Sequence, residues 1–215
     1  MSTTHLFGGL PEAEVRRVVS VAQRRRFGRN EVVFHRGDPA DTLHLIARGR
    51  FASRMTTQLG ETVTVAVQGA GEAFGELALV EPDAKRSTTV VALEAGETYS
   101  VGRDEFNALR ERYPSVNDVL VRLLARRLRR QGDLLSEALF VPAESRVLRR
   151  VRELAQLYGG EIPLTQEEIA GLAGTSRATV NRVLRAEAKR GTVEQRRGKT
   201  RVVDPGALER RSGGA

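Results

Sequence analysis

The segment Phe74-Gly75-Glu76-Leu77-Ala78-Leu79, followed seven residues later by Arg86-Ser87-Thr88, predicts an anion-binding turn. A glycine turn ahead of a short helix presents backbone N–H groups, which attract a phosphate. An arginine binds the same phosphate through two parallel charge-assisted hydrogen bonds. A glutamate can only accept hydrogen bonds, so it suits sugar hydroxyls rather than phosphate oxygens. Phosphate on one side and sugar hydroxyls on the other predict a nucleotide site.

The sequence on both sides of this turn is typical of a β-barrel or jelly roll. From Phe27 to about Val101, short apolar runs alternate with glycine-rich turns, and regularly spaced short strands of this kind indicate an all-β roll. The predicted strands cover residues 32–34, 43–46, 62–67, 88–93 and 98–101. The Gly75 segment is the one short helical interruption among them.

Helices are predicted before and after the roll. One opens at Leu10-Pro11-Glu12, where Pro occupies the first turn, and a short one covers residues 103–109. A long helix follows from about Ser115 to Phe140, with apolar side chains every three or four residues and a break in that seam at residues 129–132. The seam suits a parallel partner helix, and it equally suits packing on the helix's own domain. The pattern alone leaves both open.

The C-terminal third predicts a helix-turn-helix with a wing. Val141-Pro142 is the predicted hinge, because Pro ends one helix and can begin the next. After a helix over residues 143–157, Thr165 and Glu168 form a capping box at the start of a further helix. A glycine turn at residues 174–176 leads into a second helix over residues 176–190, and residues 193–203 predict a β-hairpin wing. Residues 210–215 are expected to be disordered.

The second helix of such a motif enters the DNA major groove by its N-terminal residues. Arg177 and Arg182 can each read a guanine there, and Ala178 can contact a thymine methyl group. Ser176, Thr179, Arg185 and Lys199 are better placed for phosphate contacts, which fix register without reading sequence. The alternative is a basic but inert helical hairpin. The complete set of predicted DNA-binding residues is Thr165, Ser176, Arg177, Ala178, Thr179, Asn181, Arg182, Arg185 and Lys199.

Charge is distributed unevenly along the 215 residues, whose net charge is +8. Residues 1–140 carry a net charge of +2, whereas residues 141–215 carry +6. A basic C-terminal piece on a nearly neutral N-terminal piece indicates a polyanionic partner for the former.

Composition excludes several classes of protein. Cys is absent, which removes disulfides, thiolate metal sites and cysteine nucleophiles. The three histidines are too scattered for a metal site, and no Ser/His/Asp set or pair of carboxylates indicates an enzyme. Apolar runs are too short for a membrane span, and the polar start of the chain does not resemble a signal peptide. We therefore expect a cytoplasmic protein that is not an enzyme and does not bind a membrane.

Taken in order, these motifs resemble the cyclic-AMP receptor protein (CRP/FNR) superfamily of bacterial transcription regulators. Residues 37–41 (Gly-Asp-Pro-Ala-Asp), with Leu45-Ile46 and Gly49, look like the early roll signature of that family. Residues 75–78 with Arg86-Ser87-Thr88 look like its phosphate-binding cassette. Residues 164–184, including Ser-Arg-x-Thr-Val from Ser176, are similar to its DNA-binding motif. The likeness extends from about Phe7 to Val203.

This resemblance implies an α+β fold with three parts. An N-terminal double-stranded β-helix or jelly-roll domain of the cyclic-nucleotide-binding type would occupy residues 1–114. A long dimerisation helix and hinge would follow at residues 115–141. A winged helix-turn-helix domain would occupy residues 142–215.

The resemblance also implies a homodimer that binds pseudo-palindromic double-stranded DNA, with RNA polymerase as a further partner. It implies no tightly bound cofactor and a cyclic nucleotide such as cyclic AMP as effector. Glu76 would bind the ribose 2′-hydroxyl, and Arg86 and Ser87 the cyclic phosphate, near the backbone N–H groups of Glu76 and Leu77. The implied effector-binding residues are Gly75, Glu76, Leu77, Ala78, Arg86, Ser87, Thr88 and Gln131. The alternative is that Glu76 and Arg86 form only an internal ion pair in a buried turn.

The chain departs from this family at two places. Gln131-Gly132 stands where cyclic-AMP-responsive members carry adjacent small polar residues, so either a base packs against Gly132 or the helix bends there. Ala178 stands where many members carry Glu, so the DNA sequence that is read should differ at that position. The absence of Cys excludes the iron–sulfur and thiolate-haem sensors of the family. Three functions remain: an effector-controlled regulator, a regulator without an effector, and a nucleotide-binding module that acts on a partner protein.

Overall fold

The computed structural model describes residues 12–56, 62–81 and 83–212, which form two compact units. The main division between the units falls inside a long helix, between Arg130 and Gln131. The first unit is a β-roll with helices, and the second is helical with a small sheet. This confirms the predicted α+β class.

Two four-stranded sheets form the roll. Its strands are β1 (Gln23–Phe27), β2 (Val32–Phe34), β3 (Thr42–Arg48), β4 (Phe51–Thr56), β5 (Thr62–Gln68), β6 (Ala73–Phe74), β7 (Thr89–Ala92) and β8 (Gly96–Gly102). One sheet has the order β1-β8-β3-β6 and the other β2-β7-β4-β5. All five predicted strands are present, whereas β1, β4 and β6 were not predicted.

Strand β3 faces two different cores. Leu43 and Leu45 point into a layer of helices, where Phe106 and Val119 are also buried. Ile46, one position on, points into the roll and packs with Phe27, Phe51 and Phe74. Because successive side chains of a strand point to opposite faces, a continuous apolar run is what a strand buried on both faces requires.

Three helices belong to the roll side of the chain: α1 (Glu12–Ser20), α2 (Arg103–Arg112) and the start of α3 (Asn117–Phe140). The long helix begins two residues later than predicted, after a 3-10 turn at Pro114–Val116. It continues through Gly132 as one α-helix, so the break in the apolar seam does not interrupt the helix. The predicted start of the first helix at Leu10-Pro11 lies outside the described residues.

The second unit contains the predicted helix-turn-helix and wing. Its elements are α4 (Ala143–Tyr158), β9 (Glu161–Ile162), α5 (Gln166–Ala173), α6 (Arg177–Lys189), β10 (Val193–Arg196), β11 (Lys199–Val202) and α7 (Pro205–Arg211). The wing strands form a sheet in the order β10-β11-β9, in which β9 was not predicted. The capping box is confirmed, since the Thr165 hydroxyl accepts from the Glu168 N–H and the Glu168 carboxylate accepts from the Thr165 N–H.

The expectation of disorder from Arg210 onwards is wrong for residues 210–212. Helix α7 extends to Arg211 and is capped by Asp204, which accepts from the Ala207 N–H at 2.9 Å. Arg211 pairs with the buried Glu187 at 3.0 Å, and the carbonyl of the buried Ser212 accepts from Arg149 at 3.0 Å. These contacts come from residues distant in sequence, so local polarity did not reveal them. Residues 213–215 lie outside the described part of the chain.

A buried histidine links the stability of the roll to pH. His44 stacks on Phe74 with ring centroids 5.0 Å apart, and its Nδ1 lies 3.0 Å from the Thr98 hydroxyl. Burial, with smaller contributions from Arg86 and Arg25, lowers the pKa of His44 from 6.5 to about 3. The imidazole is therefore neutral in the folded protein at neutral and mildly acidic pH.

We expect mild acid to destabilise the roll through His44. In the unfolded chain His44 takes up a proton below its ordinary pKa of 6.5, whereas the folded protein does so only near 3. The stability contributed by this group is complete above the unfolded pKa and is lost as pH falls toward the folded one. The loss between about pH 7.5 and 5.5 is about 1.4 kcal/mol in the free energy of unfolding.

Chemical denaturation at these two pH values measures this loss. His44→Gln removes the titrating group, so its free energy of unfolding should fall by about 1.4 kcal/mol less than that of the wild type. His35→Gln is the matched control, because it removes a histidine that is exposed. Equal pH dependence in the wild type and in His44→Gln would contradict the prediction.

Candidate functional site

The glycine turn of the roll is confirmed as a position that no other residue can occupy without strain. Gly75 has φ 82° and ψ 16°, in the left-handed region that favours glycine. A Cβ at this position would lie 2.7 Å from the Thr42 carbonyl oxygen and 2.8 Å from Nη1 of Arg86. Glycine is therefore needed both for the backbone conformation and for the close approach of Arg86.

Arg86 is buried beneath this turn and is 6% exposed. Its Nη1 donates to the Thr42 carbonyl at 2.7 Å, and its Nη2 donates to the Thr42 hydroxyl at 2.6 Å and to Asp41 at 3.3 Å. The guanidinium lies 4.1 Å from the centre of the Phe34 ring. Its Nε is buried and has no hydrogen-bond partner among the described residues. A buried, charged donor without a partner is a group that an anionic ligand can satisfy.

Burial also affects the pKa of Arg86. It lowers the pKa of the guanidinium, while the carboxylates of Asp41 and Asp38 act in the opposite direction. Arginine nevertheless stays protonated in proteins. The turn therefore holds a permanent positive charge that is only partly compensated, since the side chain of Asp41 is 77% exposed.

Glu76 opens a 3-10 turn, Glu76–Leu79, directly after Gly75. It is 4% exposed, and its Oε1 pairs with Nε of Arg127 on α3 at 3.1 Å. Sequence reasoning did not single out Arg127. The only available signal was its place in an arginine-rich stretch of the long helix, which does not distinguish it from Arg126 or Arg129.

Seven of the eight predicted effector residues line one cavity. Gly75, Glu76, Leu77, Ala78, Arg86, Ser87 and Thr88 surround it, together with Phe34, Phe74, Val90, Arg127 and the buried Ser53. Gln131, the eighth, is exposed on α3 and is not among the lining residues. The cavity has a volume of about 30 Å³. It must widen to admit a small-molecule ligand, because pockets for such ligands are about 300 Å³ or larger.

The two expectations for Gly132, a base packed against it or a bend in the helix, stay predictions. Helix α3 runs unbroken across this residue, and apart from the adjacent residues and the nearby backbone of α3 itself, no atom of the described residues lies within 4 Å of a Cβ built there. Contacts among the described residues therefore do not explain this glycine, although glycine destabilises a helix interior by about 1 kcal/mol relative to alanine.

The helix-turn-helix is shaped by local capping. Gly174 ends α5 in the left-handed conformation, with φ 59° and ψ 46°. Ser176 caps α6 by accepting from the Thr179 N–H at 3.2 Å. Val180, Val183 and Leu184 are buried beneath α6.

Arg146 of α4 fixes the turn of this motif. Its guanidinium donates to the carbonyls of Ala173 and Gly174 at 2.9 Å and 2.8 Å and to that of Val141 at 2.7 Å. Sequence reasoning missed this residue, because its partners are backbone carbonyls distant in sequence.

The predicted DNA-binding residues occupy one accessible region of the second unit. Ser176, Arg177, Ala178, Arg182 and Arg185 are exposed on α6, Thr165 and Lys199 are exposed on α5 and the wing, and Thr179 and Asn181 are half-buried. Two of the cations are paired: Lys199 with Glu161 at 2.6 Å, and Arg182 with Glu144.

The described residues contain no group of three or more His, Cys, Asp or Glu side chains that could hold a metal ion. In that same part of the chain, no helix has both the length and the apolar character needed to cross a membrane.

Comparisons with known proteins agree with this geometry. Residues 24–113 match the family model of a cyclic nucleotide-binding domain, and residues 145–211 match that of a Crp-like helix-turn-helix domain. The chain is 38% identical over 213 residues to a cyclic AMP receptor protein of Thermus thermophilus, with 97% of each covered. It is 30% identical over 215 residues to a CRP-like cAMP-activated global transcriptional regulator of Mycobacterium tuberculosis, with 96% of each covered.

Solved structures give the same result. The crystal structure of the Thermus thermophilus catabolite activator protein aligns over 97% of this chain and 98% of its own, with 37% identity and a TM-score of 0.55. A c-di-GMP responsive regulator of Xanthomonas campestris aligns over 89% of this chain and 99% of its own with a TM-score of 0.76, and at 20% identity it supports the fold alone. The chain therefore belongs to the CRP/FNR family and is a DNA-binding transcription regulator.

Proposed function

We propose that this regulator is a homodimer controlled by a cyclic nucleotide, with cyclic AMP as the first candidate, bound in the cavity of the roll. The observation that carries the proposal is the buried Arg86, which lines that cavity together with the buried Glu76 and whose Nε has no hydrogen-bond partner among the described residues. The relatives named for cyclic AMP support the choice of nucleotide. We further propose residues 1–114 as the sensor domain, 115–141 as the dimerisation helix and hinge, and 142–215 as the DNA-binding domain.

The donor set fits a cyclic nucleotide. Arg86 and the exposed Ser87 offer N–H and O–H donors to a cyclic phosphate, and the positive charge of Arg86 is partly uncompensated. Glu76 offers acceptors for a ribose hydroxyl. Ser53 is a buried hydroxyl in an otherwise largely apolar floor, where it donates to Gln68 at 3.0 Å. The exposed Gln131 of α3 is proposed to contact the base.

Arg127 connects the cavity to the long helix through its ion pair with Glu76. It stands on α3 and neutralises Glu76, so a ribose hydroxyl that donates to Glu76 competes with it. Arg127 and the segment of α3 that carries it would then change their contacts. We propose that this change reaches the DNA-binding unit through α3 and the Val141-Pro142 junction.

The long helix also provides the proposed dimer contact. Val121, Leu128 and Leu135 recur every seven residues on α3, and they are 60%, 75% and 62% exposed in the single chain. A seven-residue repeat of exposed apolar side chains is the pattern that a partner helix covers. A two-fold dimer places two α6 helices about one DNA turn apart, which matches a pseudo-palindromic operator.

The proposed setting follows from the family. Double-stranded DNA is the partner of the helix-turn-helix, RNA polymerase is proposed as a further partner, and the cytoplasm is the proposed compartment. The relatives are transcription regulators and not enzymes, so we propose no catalytic activity for this chain.

A regulator without an effector is the second candidate. The observation that favours it is the small cavity, in which Glu76 is already paired with Arg127 and the two Nη atoms of Arg86 are already bonded to the protein. A titration with cyclic AMP separates the two candidates.

Calorimetry should show that the wild type binds cyclic AMP and that Arg86→Ala binds it about 10- to 100-fold more weakly, because a charge-assisted hydrogen bond is lost. Ser87→Ala should lower the affinity less, since one neutral donor is removed. Gln131→Ala tests the base contact by itself. Arg110→Ala, at an exposed arginine on α2, is the matched control.

Arg86 also bonds to Thr42, so the folding of Arg86→Ala must be checked by thermal denaturation; Ser87 is exposed, so Ser87→Ala does not carry this risk. Unchanged affinity in both variants would refute the proposed site. An effector must also tighten operator binding by its coupling to the DNA site, typically five- to 150-fold. Equal DNA affinity with and without every cyclic nucleotide would leave only the effector-free regulator.

Leu128→Lys should turn the dimer into monomers, because it places a charge in the apolar seam of α3. Sedimentation velocity measures the mass directly. Asp133→Lys is the matched control, since Asp133 is also exposed on α3 but lies off this seam. A dimer that persists in Leu128→Lys would show that subunits associate through another surface.

A further inference from the structure

Arg182 is held by a carboxylate that does not come from its own helix. Its Nη1 donates to Oε1 of Glu144, in the first turn of α4. Both side chains remain accessible, with 64% of Arg182 and 57% of Glu144 exposed. The pair therefore lies on the surface where the predicted DNA-binding residues are exposed.

Helix α6 offers Arg182 no acidic neighbour. Residues three and four positions away on a helix are the ones that meet on its surface. For Arg182 these are Ala178, Thr179, Arg185 and Ala186, none of which is acidic. The acidic residue of α6, Glu187, is buried and pairs with Arg190 and Arg211. Glu144 thus supplies from α4 the carboxylate that α6 lacks.

We propose that Glu144 is a positioning residue for base reading by Arg182, and that it raises the DNA sequence specificity of this regulator. The inference rests on the proposed role of Arg182 as a guanine reader. A guanidinium has five N–H groups, so one can bind Glu144 while two others still form the fork that reads guanine. Holding the fork in place reduces the rotamer freedom that is lost when DNA binds.

The same carboxylate acts against binding to arbitrary DNA. The affinity for non-specific sequences comes from neutralisation of phosphates by cations. A carboxylate beside Arg182 weakens that attraction for every sequence. By contrast, its positioning of the Arg182 guanidinium raises the affinity only for a site that has a guanine at that position. Glu144 should therefore lower the affinity for non-specific DNA and increase the ratio of specific to non-specific affinity.

The wing provides a matched comparison. Glu161 pairs with Lys199 at 2.6 Å, and both side chains are about half exposed, at 45% and 51%. Lys199 is a proposed phosphate contact, and phosphate contacts carry no direct sequence information. Removing the charge of Glu161 should strengthen binding to all sequences alike, without changing the preference among them.

The experiment compares the full-length wild type with Glu144→Gln, Glu161→Gln, Arg182→Ala and the double variant Glu144→Gln/Arg182→Ala. A randomised duplex library is first selected with the wild type, with and without cyclic AMP. Dissociation constants are then measured for the selected duplex and for the duplex in which the base pair read by Arg182 is replaced. Their ratio is the discrimination at that position, and mixed-sequence DNA gives the non-specific affinity.

Glu144→Gln should reduce this discrimination about two- to fivefold, within the range of an exposed ion pair, and should tighten non-specific binding. Glu161→Gln should tighten both forms of binding with the discrimination unchanged. In the Arg182→Ala background, Glu144→Gln should have no further effect on the discrimination.

The inference would be overturned if Glu144→Gln left the discrimination unchanged. It would also be overturned if Glu144→Gln reduced the discrimination equally in the wild type and in Arg182→Ala. Neither result would contradict base reading by Arg182. If Arg182→Ala itself kept full discrimination at every position, the proposed base reading would fail, and the inference would fail with it. Thermal denaturation of each variant would separate these results from loss of folding.

Discussion

The roll is organised around a buried positive charge. The guanidinium of Arg86 lies against Phe34 under the Gly75 turn, where its Nη atoms donate to Thr42. Removing a charge from water is costly unless it is paired and hydrogen-bonded, and the nearest carboxylate, that of Asp41, is mostly in solvent. Glycine at position 75 leaves room for this cation, because a Cβ there would lie 2.8 Å from Nη1 of Arg86. A bound anion is the group that would complete its coordination.

Local sequence was sufficient for the parts of the fold that local interactions determine. The Gly75 turn, the capping box at Thr165 and the cap at Ser176 each depend on residues within one turn, and all are present. Strand β1 was missed because its first four residues are polar and exposed on an edge strand, so it shows no apolar alternation; Arg24 and Arg26 pair with Glu97 of the neighbouring strand. Helix α7 was missed because Glu187 and Arg149 stabilise it from far along the chain.

The same distinction applies to the candidate site. Glu76 and Arg86 could be predicted, because a short segment of sequence carries both of them together with the glycine that brings them close. Arg127 could not, since its role depends on where the long helix passes the roll. On the DNA-reading side, the exposed face of α6 followed from helical periodicity. The partner of Arg182 comes from another helix, and no spacing in the sequence links Glu144 to it.

The junction between α3 and α4 is held by contacts that lie on the proposed path from the long helix to the DNA-reading helices. Glu137, near the end of α3, pairs with both Arg149 and Arg150 of α4, and the side chain of Arg150 is 7% exposed. Arg146 joins the same bend to the turn of the helix-turn-helix through the carbonyls of Val141 and Gly174. Breaking a buried ion pair by removing one partner typically costs about 3–5 kcal/mol, so this bend resists independent movement of its two helices. The contacts of Glu137 and Arg146 therefore connect the end of α3 to α4 and to the turn of the helix-turn-helix, and the proposed signal would follow these contacts across Val141-Pro142.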